Sequence, residues 1–203
     1  MTINPGIGIR PPKGKKLLPN TLSVEEMSRL LDGPVEGVWE TRDQAIFELM
    51  YSSGLRRAEL IGLDLCSVDL LAGEVRVLGK GGYTRIIPVG RKALAAIRCW
   101  LEVRADVAVD DRALFVGAHG ARICSSALRL ALVRLARKRG VTSHVHPHAL
   151  RHSFASHVLQ SSGDLRAVQE MLGHASVSST QIYTHLDMTF LRRAYQMAHP
   201  RAL

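Results

Sequence analysis

The spacing of apolar residues changes from a helical period to an alternating one and back, and this change constrains the fold more than any other feature. Short alternating segments in the middle of the chain predict three antiparallel strands, over residues 67–70, 74–78 and 84–88. The glycine-rich stretch 79–82 carries Lys80 between the last two strands, which is typical of a hairpin tip. Helical spacing on both sides predicts a mainly α-helical domain with a small three-stranded antiparallel sheet (α+β).

Capping residues set the expected bounds of the helices. Ser23 begins a capping box and predicts a short helix directly after it. We expect a second helix to begin at Thr41, with Gln44 as its reciprocal cap, and to end at Gly54. Further helices are expected over residues 57–61, 94–101, 128–135, 147–160, 165–172 with Asp164 as the N-cap, 180–184 and 189–198.

Length and composition indicate one compact domain. The chain has 203 residues, 46% of them hydrophobic, which suffices for a single core. Residues 1–19 contain four prolines and are expected to form a linker or arm, followed by one domain over residues 20–203. The N-terminus carries no apolar signal segment, and no apolar run reaches the length of about eighteen residues that a membrane helix needs, so we expect a cytoplasmic protein.

The three cysteines and the charge balance bear on environment and partners. None of the cysteines belongs to a CxxC pair, and we expect them as reduced thiols packed in the core, at Cys66, Cys99 and Cys124. Lys and Arg number 27 against 18 Asp and Glu, a net charge of +9. This excess favours a nucleic-acid partner, although a solvated basic face or a membrane-surface binder has the same balance.

Two arginine-containing segments are suited to a phosphodiester. Arginine is always charged and donates two parallel hydrogen bonds, which matches the non-bridging oxygens of phosphate. Arg56 lies at a predicted helix start, and Arg151 lies three residues after His148, just past Pro147, where backbone N–H groups favour an anion.

The histidines near this second segment also raise the possibility of a metal site. They stand at positions 144, 146, 148, 152 and 157. No cysteine or carboxylate lies nearby at ligand spacing, and His148 with His152 lacks a third helical ligand. A structural zinc site is therefore disfavoured, and His152 and His157 are expected to be packing or capping residues.

Five motifs together are more specific than either arginine segment. They are GLRRAEL at 54–60, GKG at 79–81, HPHALRHSF at 146–154, LGH at 172–174 and TQIYTH at 180–185. In order, spacing and context they resemble the tyrosine recombinases, above all the bacterial XerC branch of that family. Residues 161–187 and 198–202 add to this similarity, which extends over almost the whole chain from Leu18 onward.

The resemblance implies a set of site residues at matching positions. The catalytic residues would be Arg56, Lys80, His148, Arg151, His174 and the nucleophile Tyr183, with Glu59 supporting Arg56. The product would be a 3′-phosphotyrosine. No ATP or redox cofactor is expected because one phosphodiester is exchanged for another, and no metal is expected because the guanidinium groups supply positive charge. Gly82 and Tyr83 stand where many relatives carry another basic residue, so one phosphate contact of the family is not expected here.

The resemblance also implies partners. These are double-stranded DNA, a sister recombinase of the XerD type in a heterotetramer on that DNA, and a DNA translocase of the FtsK type as a regulator, in chromosome dimer resolution. The N-terminal DNA-binding domain of such recombinases is expected to be absent from this chain. The alternatives are a phage or mobile-element integrase, a type IB topoisomerase, and a DNA-binding module that has lost catalysis.

Overall fold

The computed structural model describes residues 21–79, 82, 84–173 and 185–202. The helices are α1 Val24–Leu31, α2 Gly37–Ser53, α3 Arg57–Ile61, α4 Arg91–Arg104, α5 Ser125–Lys138, α6 Pro147–Ser162, α7 Leu165–Leu172 and α8 His185–Ala198. The strands are β1 Val68–Asp69, β2 Glu74–Leu78 and β3 Thr84–Pro88, preceded by a 3-10 turn over Leu65–Ser67. The predicted fold class is confirmed. The expected linker over residues 1–19 and the expected helix at 180–184 lie outside the described residues.

The capping box at α1 forms as predicted. The Ser23 hydroxyl accepts from the backbone N–H of Glu26 at 3.1 Å, and the Glu26 carboxylate accepts from the backbone N–H of Ser23 at 2.9 Å. Two donors at the helix start are thereby satisfied. The preceding Leu22 is buried and its N–H donates to Ser153 Oγ at 2.8 Å, which joins the start of α1 to α6.

The predicted start of α2 is wrong by four residues, since the helix begins at Gly37 rather than Thr41. The Glu40 carboxylate accepts from the backbone N–H of Glu36 at 2.9 Å and so satisfies a donor ahead of the first turn. Gln44 is not a cap, because its side-chain amide donates to the Leu31 carbonyl at 2.6 Å. Gln44 therefore joins α2 to α1 instead of capping its own helix, which is the role that the sequence pattern predicted.

The sheet is antiparallel with strand order β1-β2-β3. Val75 lies opposite Ile87 and Val77 opposite Arg85 in its register, and all four side chains are buried. Arg85 is thus a charged residue on the buried face of β3. The hairpin between β2 and β3 leaves from Leu78, which pairs with Thr84.

Helix α2 is central, packing against α4 and α6, and α6 in turn packs against α7 and α8. Its fully buried residues include Phe47, Leu49 and Tyr51. The three cysteines are free thiols, as predicted, but the prediction that they pack in the core is wrong, because Cys66, Cys99 and Cys124 are all exposed. Among the described residues, no helix combines the length and apolar character needed to cross a bilayer.

Candidate active site

The site lies where α2 ends against α6. Gly54 ends α2 in the left-handed conformation, with φ of 58°. A Cβ atom at this position would lie 2.4 Å from Phe154 Cδ1, so no larger residue fits. The close approach allows the buried Arg151 side chain to donate from Nη1 to the Gly54 carbonyl at 2.6 Å.

Glu59 lies at the centre of the site and accepts four hydrogen bonds. Its Oε1 accepts from Arg56 Nη1 at 2.8 Å and from Arg85 Nη1 at 2.9 Å. Its Oε2 accepts from the backbone N–H of Arg56 at 2.7 Å and from Arg85 Nη2 at 2.9 Å. Local sequence explains half of this arrangement, because Arg56 is the N-cap of α3 and Glu59 its third residue, the spacing of a capping box.

The charge state of Glu59 follows from these partners. Burial disfavours the ionised form, but the hydrogen bonds from Arg85 and from the backbone of Arg56 outweigh it and hold the pKa of Glu59 below its ordinary value. The carboxylate is therefore ionised at neutral pH. Its side chain is 6% exposed, as against 39% for that of Arg56, so Arg56 reaches the surface from a buried anchor.

The C-terminus of α7 supplies further acceptors for the same guanidinium groups. Three successive carbonyls accept: Met171 from Arg85 Nε at 3.0 Å, Leu172 from Arg151 Nη2 at 2.8 Å and Gly173 from Arg56 Nη2 at 3.5 Å. The last carbonyls of a helix lack partners within the helix, and its macrodipole places partial negative charge there. The end of α7 therefore stabilises three neighbouring cations.

Positive charge still exceeds negative charge at the described site. Three guanidinium groups, of Arg56, Arg85 and Arg151, surround the Glu59 carboxylate, with Arg151 Nη1 4.0 Å from Glu59 Oε2. Burial, with a smaller contribution from the Arg56 charge, lowers the pKa of Arg151 to about 10, so it remains protonated at neutral pH. Such a cluster favours a bound anion, and phosphate matches the guanidinium geometry.

The predicted site residues on α6 differ in exposure. His148 is exposed in the first turn, and Arg151 is buried one turn further on. The N-cap of α6 is His146, whose Nδ1 accepts from the backbone N–H of Ala149 at 3.1 Å. Of the two histidines expected to pack or cap, His157 is buried with Nδ1 2.8 Å from the Tyr51 hydroxyl, whereas the prediction is wrong for His152, which is exposed.

Three predicted residues, Lys80, His174 and Tyr183, lie outside the described part of the chain. The structure thus brings together Arg56, Glu59 and Arg151 and leaves the other placements as predictions. Within the described ranges, no group of three His, Cys, Asp or Glu side chains could hold a metal ion.

Sequence reasoning missed Arg85. Arg85 and Ile87 are two residues apart and lie on the same, inward face of β3. The signal in the sequence was a charged residue at a position where the alternation predicts an inward side chain. A buried charge requires a partner, and only the tertiary structure shows that the partner is Glu59.

Known proteins that are similar to this chain point to one family. Residues 20–189 match the model of the phage integrase family. The chain is 50% identical over 202 residues to tyrosine recombinase XerC of Actinobacillus pleuropneumoniae serotype 7, covering 100% of this chain and 66% of that protein. It is 55% identical over 200 residues to tyrosine recombinase XerC of Azotobacter vinelandii, covering 98% of this chain and 67% of that protein.

Two solved structures are similar in fold. The XerA recombinase superposes with a TM-score of 0.72 at 35% identity, covering 91% of this chain and 67% of that one. The XerH site-specific recombinase, in a post-cleavage complex with a palindromic difH substrate, superposes with a TM-score of 0.70 at 28% identity, covering 89% of this chain and 54% of that one. Measured against the two XerC relatives, the chain spans about two thirds of their length.

Proposed function

The chain belongs to the phage integrase family, and from this premise we propose that it is the catalytic part of a site-specific tyrosine recombinase. It cleaves one DNA strand by transesterification and rejoins it to another, through a 3′-phosphotyrosine link on Tyr183. One phosphodiester is exchanged for another, so the reaction consumes no ATP and no redox equivalent. The relatives' name supports this proposal, and the arginine cluster around Glu59 is the structural observation that carries it.

The cluster suits the transition state of phosphoryl transfer. The phosphorus passes through a five-coordinate state in which the two non-bridging oxygens gather negative charge, and preformed cations stabilise that charge. Arg56 and Arg151 supply these cations, held by Glu59 and by the carbonyls at the end of α7. His174, which directly follows the α7 cap Gly173 in sequence, is proposed to donate its ring N–H to the same oxygens.

Proton transfers are assigned to three further residues. The phenol of Tyr183, with an ordinary pKa of about 10, needs a base before it attacks at neutral pH. His148, exposed at the start of α6, accepts or relays that proton. Lys80, in the hairpin between β2 and β3, protonates the departing 5′ oxygen.

The substrate and partners follow from the same family membership. We propose double-stranded DNA as the substrate, consistent with the net charge of +9 and with the XerH complex on its difH substrate. A sister recombinase of the XerD type would share a heterotetramer on that DNA, under control of a translocase of the FtsK type, in the resolution of chromosome dimers in the cytoplasm. Residues 1–19 are proposed as the linker into this domain.

Covalent capture tests the proposed activity. The wild-type chain is incubated with a randomised pool of duplexes, each nicked so that cleavage releases a short fragment and prevents religation. We expect a covalent protein–DNA adduct that resists denaturation, and none with Tyr183→Phe, whose DNA affinity stays within a few-fold because the phenol oxygen matters for bond formation rather than binding. An adduct that persists with Tyr183→Phe would place the nucleophile elsewhere, and no adduct with the wild type would refute the activity.

A further inference from the structure

We propose that Arg85 is a positioning residue for strand cleavage, which holds the Glu59 carboxylate in the orientation that fixes Arg56 at the scissile phosphate. The inference rests on the proposed function, because it assigns Arg85 a part in that reaction. We assign Arg85 no contact with the substrate, because its Nε, Nη1 and Nη2 atoms all donate within the protein, to the Met171 carbonyl and the Glu59 carboxylate. Its effect must therefore pass through the groups that it contacts.

The contact between Arg85 and Glu59 is bidentate. Nη1 and Nη2 each donate to a different carboxylate oxygen, both at 2.9 Å, so the two planar groups lie fork to fork. The remaining lone pairs of the carboxylate then accept from Arg56, through its backbone N–H and its Nη1. Arg85 thereby fixes the plane of the carboxylate, and that plane determines the direction in which Arg56 is held.

Arg85 also ties this carboxylate to two other elements. It belongs to β3, the strand that follows Lys80 in sequence. Its Nε also donates to the Met171 carbonyl at the end of α7. A Cβ atom at Gly173 would lie 3.1 Å from the Arg85 side chain, and Gly173 has φ of 63°. Glycine at the α7 cap thus lets the helix end pack closely on Arg85.

Loss of Arg85 changes the charges that Glu59 faces. The charged groups packed against it are Arg56 from the start of α3, Arg85 from β3 and Arg151 from α6. Arg85→Met removes two of the four hydrogen bonds to the carboxylate and leaves its burial in place. Glu59 then takes up a proton at higher pH than in the wild type, and the protonated form no longer holds Arg56 as an ion pair.

Single-turnover cleavage kinetics test the inference, with a nicked duplex isolated once from the randomised pool by the wild-type chain. At saturating DNA and neutral pH we expect Arg85→Met to form adduct roughly 10²-fold more slowly, the cost typical of a misplaced catalytic group. The rate should recover in part as the pH rises, with an acid limb shifted to higher pH than in the wild type. Arg85→Lys keeps the positive charge but cannot make the bidentate contact, so its cleavage rate is expected to lie between those of the wild type and Arg85→Met.

The matched control is Arg104→Met. Arg104 is also a buried arginine, but it donates to the carbonyls of Ala113 and Asp110. This variant shares the loss of a buried cation, so a merely structural role for Arg85 predicts equal rates and equal pH profiles in the two variants. We expect Arg104→Met to stay within a few-fold of the wild type, with no shift of the acid limb.

A second measurement does not depend on cleavage. NMR titration of the Glu59 carboxyl carbon and of the Arg56 Nε–H signal should show a raised Glu59 pKa and a shifted Arg56 signal in Arg85→Met, and smaller changes in Arg85→Lys. Unchanged signals, or an unchanged acid limb, would overturn the positioning role. If the wild-type chain yields no adduct, the proposed function fails, whereas the NMR titration still decides whether Arg85 positions Glu59 and Arg56.

Discussion

His199 should make the folding stability of this domain strongly dependent on pH. The residue is 4% exposed and its ring stacks on Tyr195 with the centroids 4.9 Å apart. The backbone N–H of Arg201 donates to Nδ1 at 3.1 Å, so Nε2 carries the ring proton and donates to the Tyr51 carbonyl at 3.1 Å. Protonation of Nδ1 would break the first of these bonds, and the structure therefore requires the neutral ring.

The magnitude follows from the pKa. Burial, reinforced by the nearby His157 and Arg201, lowers the pKa of His199 from its ordinary value to about 3. In the interval between these two values the unfolded chain binds a proton that the folded chain does not, so stability falls as the pH drops below the ordinary pKa of about 6.5. At about pH 5 the loss is about 2 kcal/mol, at about 1.4 kcal/mol for each pKa unit crossed.

Urea unfolding of the wild type and of His199→Gln, at about pH 7.5 and about pH 5, measures this loss. Glutamine is neutral at both values, so the variant should lose about 2 kcal/mol less than the wild type between them. His157, whose pKa is also lowered by burial, is present in both proteins and cancels. His152→Gln, at an exposed position, serves as the control and should retain the wild-type pH dependence. Equal pH dependence in His199→Gln and the wild type would refute the reasoning.

Three further predictions concern the reaction and DNA binding. Lys80→Ala should slow cleavage by roughly 10²–10⁴-fold, the effect of losing a positioned proton donor. A substrate with sulfur at the bridging 5′ position should largely abolish that defect, because a thiolate leaves without a proton. Arg56→Ala and Arg151→Ala should stay slow on the sulfur substrate, and a failure of sulfur to rescue Lys80→Ala would move the proton donor elsewhere. Cleavage in excess EDTA should equal cleavage in magnesium, and an activity lost in EDTA but restored by a metal would contradict charge stabilisation by guanidinium groups alone. DNA binding by this chain should weaken steeply with salt, with a slope of log K against log salt of about −0.9 for each phosphate contacted, so binding insensitive to salt would contradict the charge argument.

Features that depend on neighbouring residues were accessible from the sequence alone. The capping box at Ser23, the glycine at the end of α2, Pro147 at the start of α6 and the Asp164 cap of α7 all form where their patterns predicted them. Their hydrogen bonds join groups a few residues apart, so the local sequence determines them. The hydrogen bond between Arg56 and Glu59 is also local, since the two residues are three positions apart in the sequence.

The approach of distant segments was decided only by the tertiary structure. Gln44 contacts Leu31 instead of capping its own helix, and the cysteines are exposed where their hydrophobic character had suggested burial. Arg85 meets Glu59 across 26 residues and Met171 across 86. The sequence shows that a charge on the inner face of β3 needs a partner, but the free energy that selects the partner comes from packing the whole core, which brings β3, α3 and the end of α7 together at one point.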